Sequence, residues 1–191
     1  MVRFVDWRVL VDDGFGTTPE FAQVEEHVRA GIAAIRWPSG AEDFAIRPGK
    51  HINGVKPIKD AFVEVLKGHG WEPEFRRFDA HLSFDSGTLP FAVEWETGNV
   101  SSSHRAMNRL GLGMQRRQIS GGVLVLPTRD LYQHVTDRVG NFPELEPYLP
   151  LYTRWNGEPG FHYLAIVTVE HDRLDESVPR IKKGTDGRAL V

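Results

Sequence analysis

Glu94 and Glu96 stand two residues apart in the segment Phe91-Ala-Val-Glu-Trp-Glu96. Phe91, Val93 and Trp95 alternate with Ala92, Glu94 and Glu96, so in an extended strand both carboxylates leave on one face. Two carboxylates beside buried apolar neighbours repel each other and lose hydration, and a divalent cation that prefers oxygen ligands offsets this best. A third acid is expected from the neighbouring strand. Phe78, Ala80, Leu82 and Phe84 alternate with Asp79, His81, Ser83 and Asp85, and Ser86-Gly87 and Pro90 turn the chain, which is a β-hairpin pattern. Counting back from Glu94 about a turn centred near Gly87 lands close to residue 80. Asp79 is the nearest acid; Asp85 would enter only through a bulge. An acid on one strand and acid-x-base on the next suits metal-dependent phosphodiester hydrolysis. The cation polarises a phosphate oxygen and acidifies water, and the second carboxylate orients or deprotonates that water. A solvent-facing edge strand could carry the same two glutamates, so the pair alone does not decide the chemistry.

Residues 3–11 read as a strand. Thr18 and Pro19 are an N-cap and first helical residue, followed by Phe21, Val24, Val28, Ile32 and Ile35 at helical spacing. Residues 36–56 hold Trp-Pro, Arg-Pro-Gly and Asn-Gly steps and read as a long loop of the kind that often carries function. A second helix is expected over 57–68, with Ile58, Phe62, Val65 and Leu66 inward. Beyond the hairpin, a third helix is expected over 101–118 despite Gly111 and Gly113. A wholly apolar strand follows over 121–127, placed centrally and parallel to its neighbour. Thr128 should cap a helix reaching about residue 139, and 161–170 form a last strand. The fold class is therefore α/β, a mixed central sheet with flanking helices. One domain over 1–191 is expected, with its core at about 57–170 and a polar, mobile tail over 171–191.

The 191 residues include no cysteine, which excludes disulfides, thiolate metal sites and a thiol nucleophile. No apolar run approaches a membrane span and the N-terminus lacks a signal-peptide pattern, so a cytoplasmic protein is expected. The net charge of −3 is unevenly distributed. Between Thr97 and Arg129 there is no acid, while Arg105, Arg109, Arg116, Arg117 and Arg129 all fall there. A basic segment on an acidic chain suits a protein that grips phosphates on one face, although a solvated arginine-rich helix has the same composition. His81 lies on the hairpin's polar face and reads as a surface histidine.

The run Glu94-Trp-Glu96-Thr-Gly-Asn99-Val-Ser101-Ser-Ser-His-Arg105 resembles the active-site strand of the BamHI and BglII type of restriction endonucleases. These belong to the PD-(D/E)XK nuclease fold, and the BamHI branch carries E-x-E where most members have a lysine. The likeness continues through Gly-Gly-Val-Leu-Val-Leu-Pro-Thr-Arg-Asp (121–130) and Val135-Thr-Asp137-Arg138, and spans about residues 57–142. It implies that Asp79, Glu94 and the Trp95 carbonyl ligate Mg2+, with Mn2+ as a substitute, and that Glu96 is the general base. It implies a further acid on the preceding helix, for which Asp60 and Glu64 are the candidates. Asn99, Ser101 and Arg105 match positions near base edges, and Asp137-Arg138 match a pair that reads outer G·C pairs. Asn and Arg are the side chains that make bidentate contacts to adenine and guanine. Each also has a plainer role: turn residue, helix N-cap, surface arginine, exposed dipeptide. The implied protein is a homodimeric type II enzyme cutting double-stranded DNA at a short palindrome with a GATC-containing core. The helix over 101–118 is then expected to offer Ala106, Met107, Leu110 and Met114 to the partner subunit. Two other readings are a repair or phage-defence nuclease on the same fold and a catalytically inactive DNA-binding protein.

Overall fold

A computed structural model describes residues 2–73, 78–96 and 100–183. A six-stranded sheet runs through the molecule. Its strands are β1 (Arg3–Asp12), β3 (Glu72–Pro73), β4 (Ala80–Leu82), β5 (Phe91–Trp95), β6 (Gly121–Pro127) and β7 (Tyr163–Glu170), in the order β1-β7-β6-β5-β4-β3. The central trio β5, β6 and β7 is parallel, while β1 on one side and β4 and β3 on the other are antiparallel to their neighbours. Every residue of β6 is buried, as a strand covered on both faces requires. A small parallel pair, β2 (Ala45–Ile46) with β8 (Arg173–Leu174), lies outside this sheet.

The alternation along β5 sends its residues to two different cores. Phe91, Val93 and Trp95 join the core that contains Phe21, Val24 and Val28 of α1 (Pro19–Ala34) and Ile58, Phe62 and Leu66 of α2 (Lys56–Gly68). Ala92 joins the opposite core, with Ala106, Met107, Leu110 and Met114 of α3 (Val100–Gln115). These four α3 residues are at most 1% exposed. They pack on their own sheet and are not available to a partner, because their helical stripe is the one that covers β6 and β7. Gly111 lets α3 approach Trp155: a Cβ there would stand 2.6 Å from the indole ring.

Three other expectations differ from the structure. The helix after Thr128 is one turn, α4 (Arg129–Tyr132), although Thr128 does cap it by accepting from the Leu131 N–H at 3.3 Å. It stops because the Gln133 and His134 carbonyls accept instead from the backbone N–H groups of His51 (2.9 Å) and Asn53 (3.1 Å). The stretch 171–183, expected as a free polar tail, is packed: β8 pairs with β2, and Ile181 is 1% exposed. Buried Asn53 ties these segments together. Its Nδ2 donates to the carbonyls of Arg47 and His134, each at 2.9 Å, and its Oδ1 accepts from the Ile181 N–H at 3.1 Å. His81 is 2% exposed rather than on the surface, with Nδ1 3.2 Å from the Glu72 carbonyl, because the short β3 covers it. Two short helices, α5 (Phe142–Leu145) and α6 (Leu149–Thr153), flank the α3 side.

Candidate active site

The β4–β5 register, Ala80↔Val93, His81↔Ala92 and Leu82↔Phe91, continued by one step sets Asp79 opposite Glu94. The antiparallel ladder thus brings two acids from separate strands to one place at the C-terminal end of β5. Asp79 is held there from two sides. Its Oδ2 accepts the Trp95 N–H at 2.8 Å, and its Oδ1 pairs with Lys59 Nζ of α2 at 2.6 Å. The Trp95 ring, 4% exposed, packs 4.8 Å from the Phe62 ring and couples the strand to that helix.

Glu94 is 3% exposed and faces α3. Arg109 Nε lies 3.2 Å from its Oε1, yet that oxygen has no hydrogen-bond partner. The guanidinium is near enough to attract the carboxylate but is not aimed at it. Burial dominates the result: it pushes the Glu94 carboxyl up to about 8, the nearby Asp79 and Glu96 charges add to the rise, and Arg109 and Lys59 only partly oppose it. A buried carboxylate oxygen without a donor, facing a second carboxylate, is a hard anionic site whose charge the protein does not fully neutralise. A divalent cation fits that donor set. Among the described residues no group of three acid or histidine side chains is placed to hold a metal ion; Lys59 and Arg109 stand at the carboxylate oxygens instead.

Glu96 follows β5 on the Glu94 face and is partly exposed. Asp85 is exposed beyond Leu82, at the opposite end of β4 from Asp79, so no bulge carries it to the cluster. Asp60 and Glu64 also stay away. Each is exposed and paired on its own helix, Asp60 with Lys56 at 2.5 Å and Glu64 with Lys67 at 3.4 Å. What α2 brings to the site is a cation, Lys59. Neither Lys59 nor Arg109 is singled out by spacing along the chain. The one signal for Arg109 is its place four residues after Arg105, on the same side of a helix in an acid-free stretch.

Asn99 lies outside the described residues. Ser101 is exposed inside the first turn of α3, which begins at Val100, so it is not the N-cap. Arg105 is exposed and its Nη2 donates to Ser102 Oγ at 2.5 Å. Asp137 and Arg138 are exposed on the segment after α4. Because β5 and β6 run parallel with Trp95 beside Val125, that segment leaves the sheet at the same end as Glu94 and Glu96. The structure therefore gathers Asp79, Glu94, Glu96, the start of α3 and the chain after β6 at one end of the sheet. In an open α/β sheet this is where ligands bind.

A mixed sheet carrying paired carboxylates at the end of a central parallel strand, with arginines on the helix that follows, defines a nuclease of the restriction-endonuclease class. The family model of restriction endonuclease BamHI matches residues 2–188, and the chain belongs to that family. The match is wider than the 57–142 of the motif resemblance and takes in the residues of β1, β2 and β8. Among curated relatives, the type II restriction enzyme OkrAI of Oceanobacter kriegii is 45% identical over 190 residues, covering 95% of this chain and 96% of that one. The type II restriction enzyme BamHI of Bacillus amyloliquefaciens is 32% identical over 181 residues, covering 86% of this chain and 82% of that one. The family is one of site-specific endodeoxyribonucleases, hydrolases that act on DNA. No described helix is long and apolar enough to cross a membrane.

Proposed function

We propose that the chain is a Mg2+-dependent type II restriction endonuclease that works as a homodimer on a short palindrome with a GATC-containing core. The observation that carries the catalytic part is the opposition of Asp79 and buried Glu94, whose Oε1 lacks a donor. Asp79, Glu94 and the Trp95 carbonyl are the groups that would hold the cation, and Mn2+ should substitute. When bound, a divalent cation supplies Lewis acidity at the scissile phosphate and water activation. The chain's own groups do the rest. Glu96, partly exposed and next to the site, accepts the proton of the attacking water. Arg109 and Lys59 balance the carboxylates while no cation is bound. Arg105 and Ser101 in the first turns of α3, Asn99 just ahead of them in the sequence, and Asp137 and Arg138 are assigned to the DNA grooves and backbone.

The dimer follows from the two-fold symmetry of a palindrome. With Ala106, Met107, Leu110 and Met114 used in the subunit's own core, the surface available to a second copy is the outer side of α3 and its neighbour α6. Leu112 and Leu151 are 46% and 60% exposed there, and Leu112 lines a groove together with Gly111, Gln115 and Trp155. Incubation with phage DNA and Mg2+, followed by sequencing of the fragment ends, tests the function. Fragments sharing one palindromic end are expected from the parent chain and none from Glu94→Ala, which should still bind DNA. Undiminished cleavage by Glu94→Ala would overturn the site, and ends without a common sequence would overturn the specificity. Sedimentation gives a dimer for the parent and a weakened one for Leu112→Asp; a monomer throughout, free and on DNA, refutes the dimer.

A further inference from the structure

The loop 49–51 and the chain from Arg129 to His134 enclose a cleft of about 430 Å3. Lys50, His51, Arg129, Tyr132 and Gln133 line it, and Asp130 is the one acid among its lining residues. Lys50 and Arg129 are exposed, and neither forms an ion pair among the described residues.

His51 adds an independent observation. Its φ of 56° is left-handed, a conformation that is costly for a residue with a side chain and persists only where the surroundings hold it. Here they do. The His51 N–H donates to the Gln133 carbonyl at 2.9 Å, the ring Nδ1 lies 2.8 Å from the Val135 carbonyl, and the ring packs edge-on against Tyr132 at 5.1 Å. With Nδ1 engaged by a carbonyl it carries the proton, which leaves Nε2 as the second polar atom of a ring fixed at the cleft wall. Strained, over-determined backbone of this kind clusters where a ligand is gripped. Asn53, two residues on, locks the loop to the chain after β6.

The cleft also lies in the right place. It opens where β6 ends, and β6 is parallel to β5, so it shares the sheet end of Glu94 and Glu96. Asp137 and Arg138 continue the same segment. We propose that this cleft holds a phosphate of the DNA backbone away from the cleaved bond, with Lys50 and Arg129 as its charge partners and His51 as a positioning group. A compact anion with several acceptor oxygens matches the two cations and the side-chain amide donor of Gln133, while His51 holds the loop that carries Lys50 in place. The inference rests on the DNA-cleaving reading above and adds a second grip to it.

The test is the salt dependence of binding to short duplexes of arbitrary sequence and to duplexes with a GATC core, without divalent cation. Each neutralised phosphate contributes about 0.9 to the slope of log affinity against log salt. The Lys50→Ala/Arg129→Ala double variant should lower the slope by about 0.9, the worth of one phosphate, and each single variant by part of that, alike on both duplexes. Lys50→Arg and Arg129→Lys should retain it. Replacing single phosphates by neutral methylphosphonates should find one position whose effect vanishes in the double variant. Inorganic phosphate competing at millimolar level without any such position would mean a free-anion site and overturn the proposal. So would an unchanged slope in a double variant that melts like its parent. If the parent itself shows no salt-dependent DNA binding, the functional reading falls with it.

Discussion

Glu94→Gln removes the buried charge of the candidate site while keeping the shape of the side chain, and its effect on stability follows from the position of that carboxyl. In the folded, metal-free chain burial and the neighbouring Asp79 raise it from 4.5 to about 8. A rise of that size corresponds to about 5 kcal/mol of preference for the protonated form. Because the pKa is raised on folding, the stability linked to the proton is fully present below the unfolded value of 4.5 and is lost as pH climbs through 8. Across that window the parent should lose up to about 1.4 kcal/mol per pH unit that Glu94→Gln does not lose. At 3% exposure the group has little solvent to screen it, and Arg109 is the main opposing influence. Urea unfolding with a chelator present, on both proteins from about pH 5 to pH 9, reads the difference directly. The two stability curves should converge in acid and separate in base, with the variant the more stable. Mg2+ at high pH should then restore the parent and leave Glu94→Gln unchanged, since only the carboxylate gains a partner. Parallel curves, or a gap that widens toward acid, would refute the argument that burial dominates this site.

Gly111→Ala should cost about 1–3 kcal/mol by driving a methyl group into the Trp155 ring; chemical unfolding checks this, and a neutral effect would mean that α3 and Trp155 separate freely. Asn53→Ala removes three buried hydrogen bonds at once. A loss of about 2–4 kcal/mol is expected, together with faster amide exchange at His51 and Ile181, and exchange rates like the parent's would show that another contact holds the loop. Arg138→Ala should weaken binding to the cleaved sequence about ten- to hundredfold, the worth of one bidentate base contact, and leave other duplexes almost unaffected. Equal losses on both would reassign Arg138 to a backbone phosphate.

Much of the fold is written in local periodicity. Alternation of apolar residues marks β4 and β5, the Thr18-Pro19 pair starts α1, and the short apolar run 121–127 between turn signals suits the strand covered on both faces that it forms. These signals are local because a side chain's direction repeats every two residues in a strand and every 3.6 in a helix. Where they misled, a long-range contact had intervened. The helix after Thr128 is cut short by loop 49–53 taking its carbonyls, and residues 171–183 are laid down by β2 and Asn53 rather than by their own composition.

The carboxylate pair shows the same division. That Glu94 and Glu96 share a face needed only the period of a strand, and the position of the turn narrowed the acid across the hairpin to Asp79 or, through a bulge, Asp85. Tertiary structure alone decided their partners. Lys59 reaches Asp79 across 20 residues, and Arg109 reaches Glu94 because α3 folds back over the sheet. It also decided that Asp60 and Glu64 face solvent, that Ala106, Met107, Leu110 and Met114 serve the subunit's own core, and that Lys50 and Arg129, far apart along the chain, line one cleft. Spacing along a chain fixes direction only within an element. Which charges meet depends on how elements pack, and packing is settled by the buried surfaces of the whole domain.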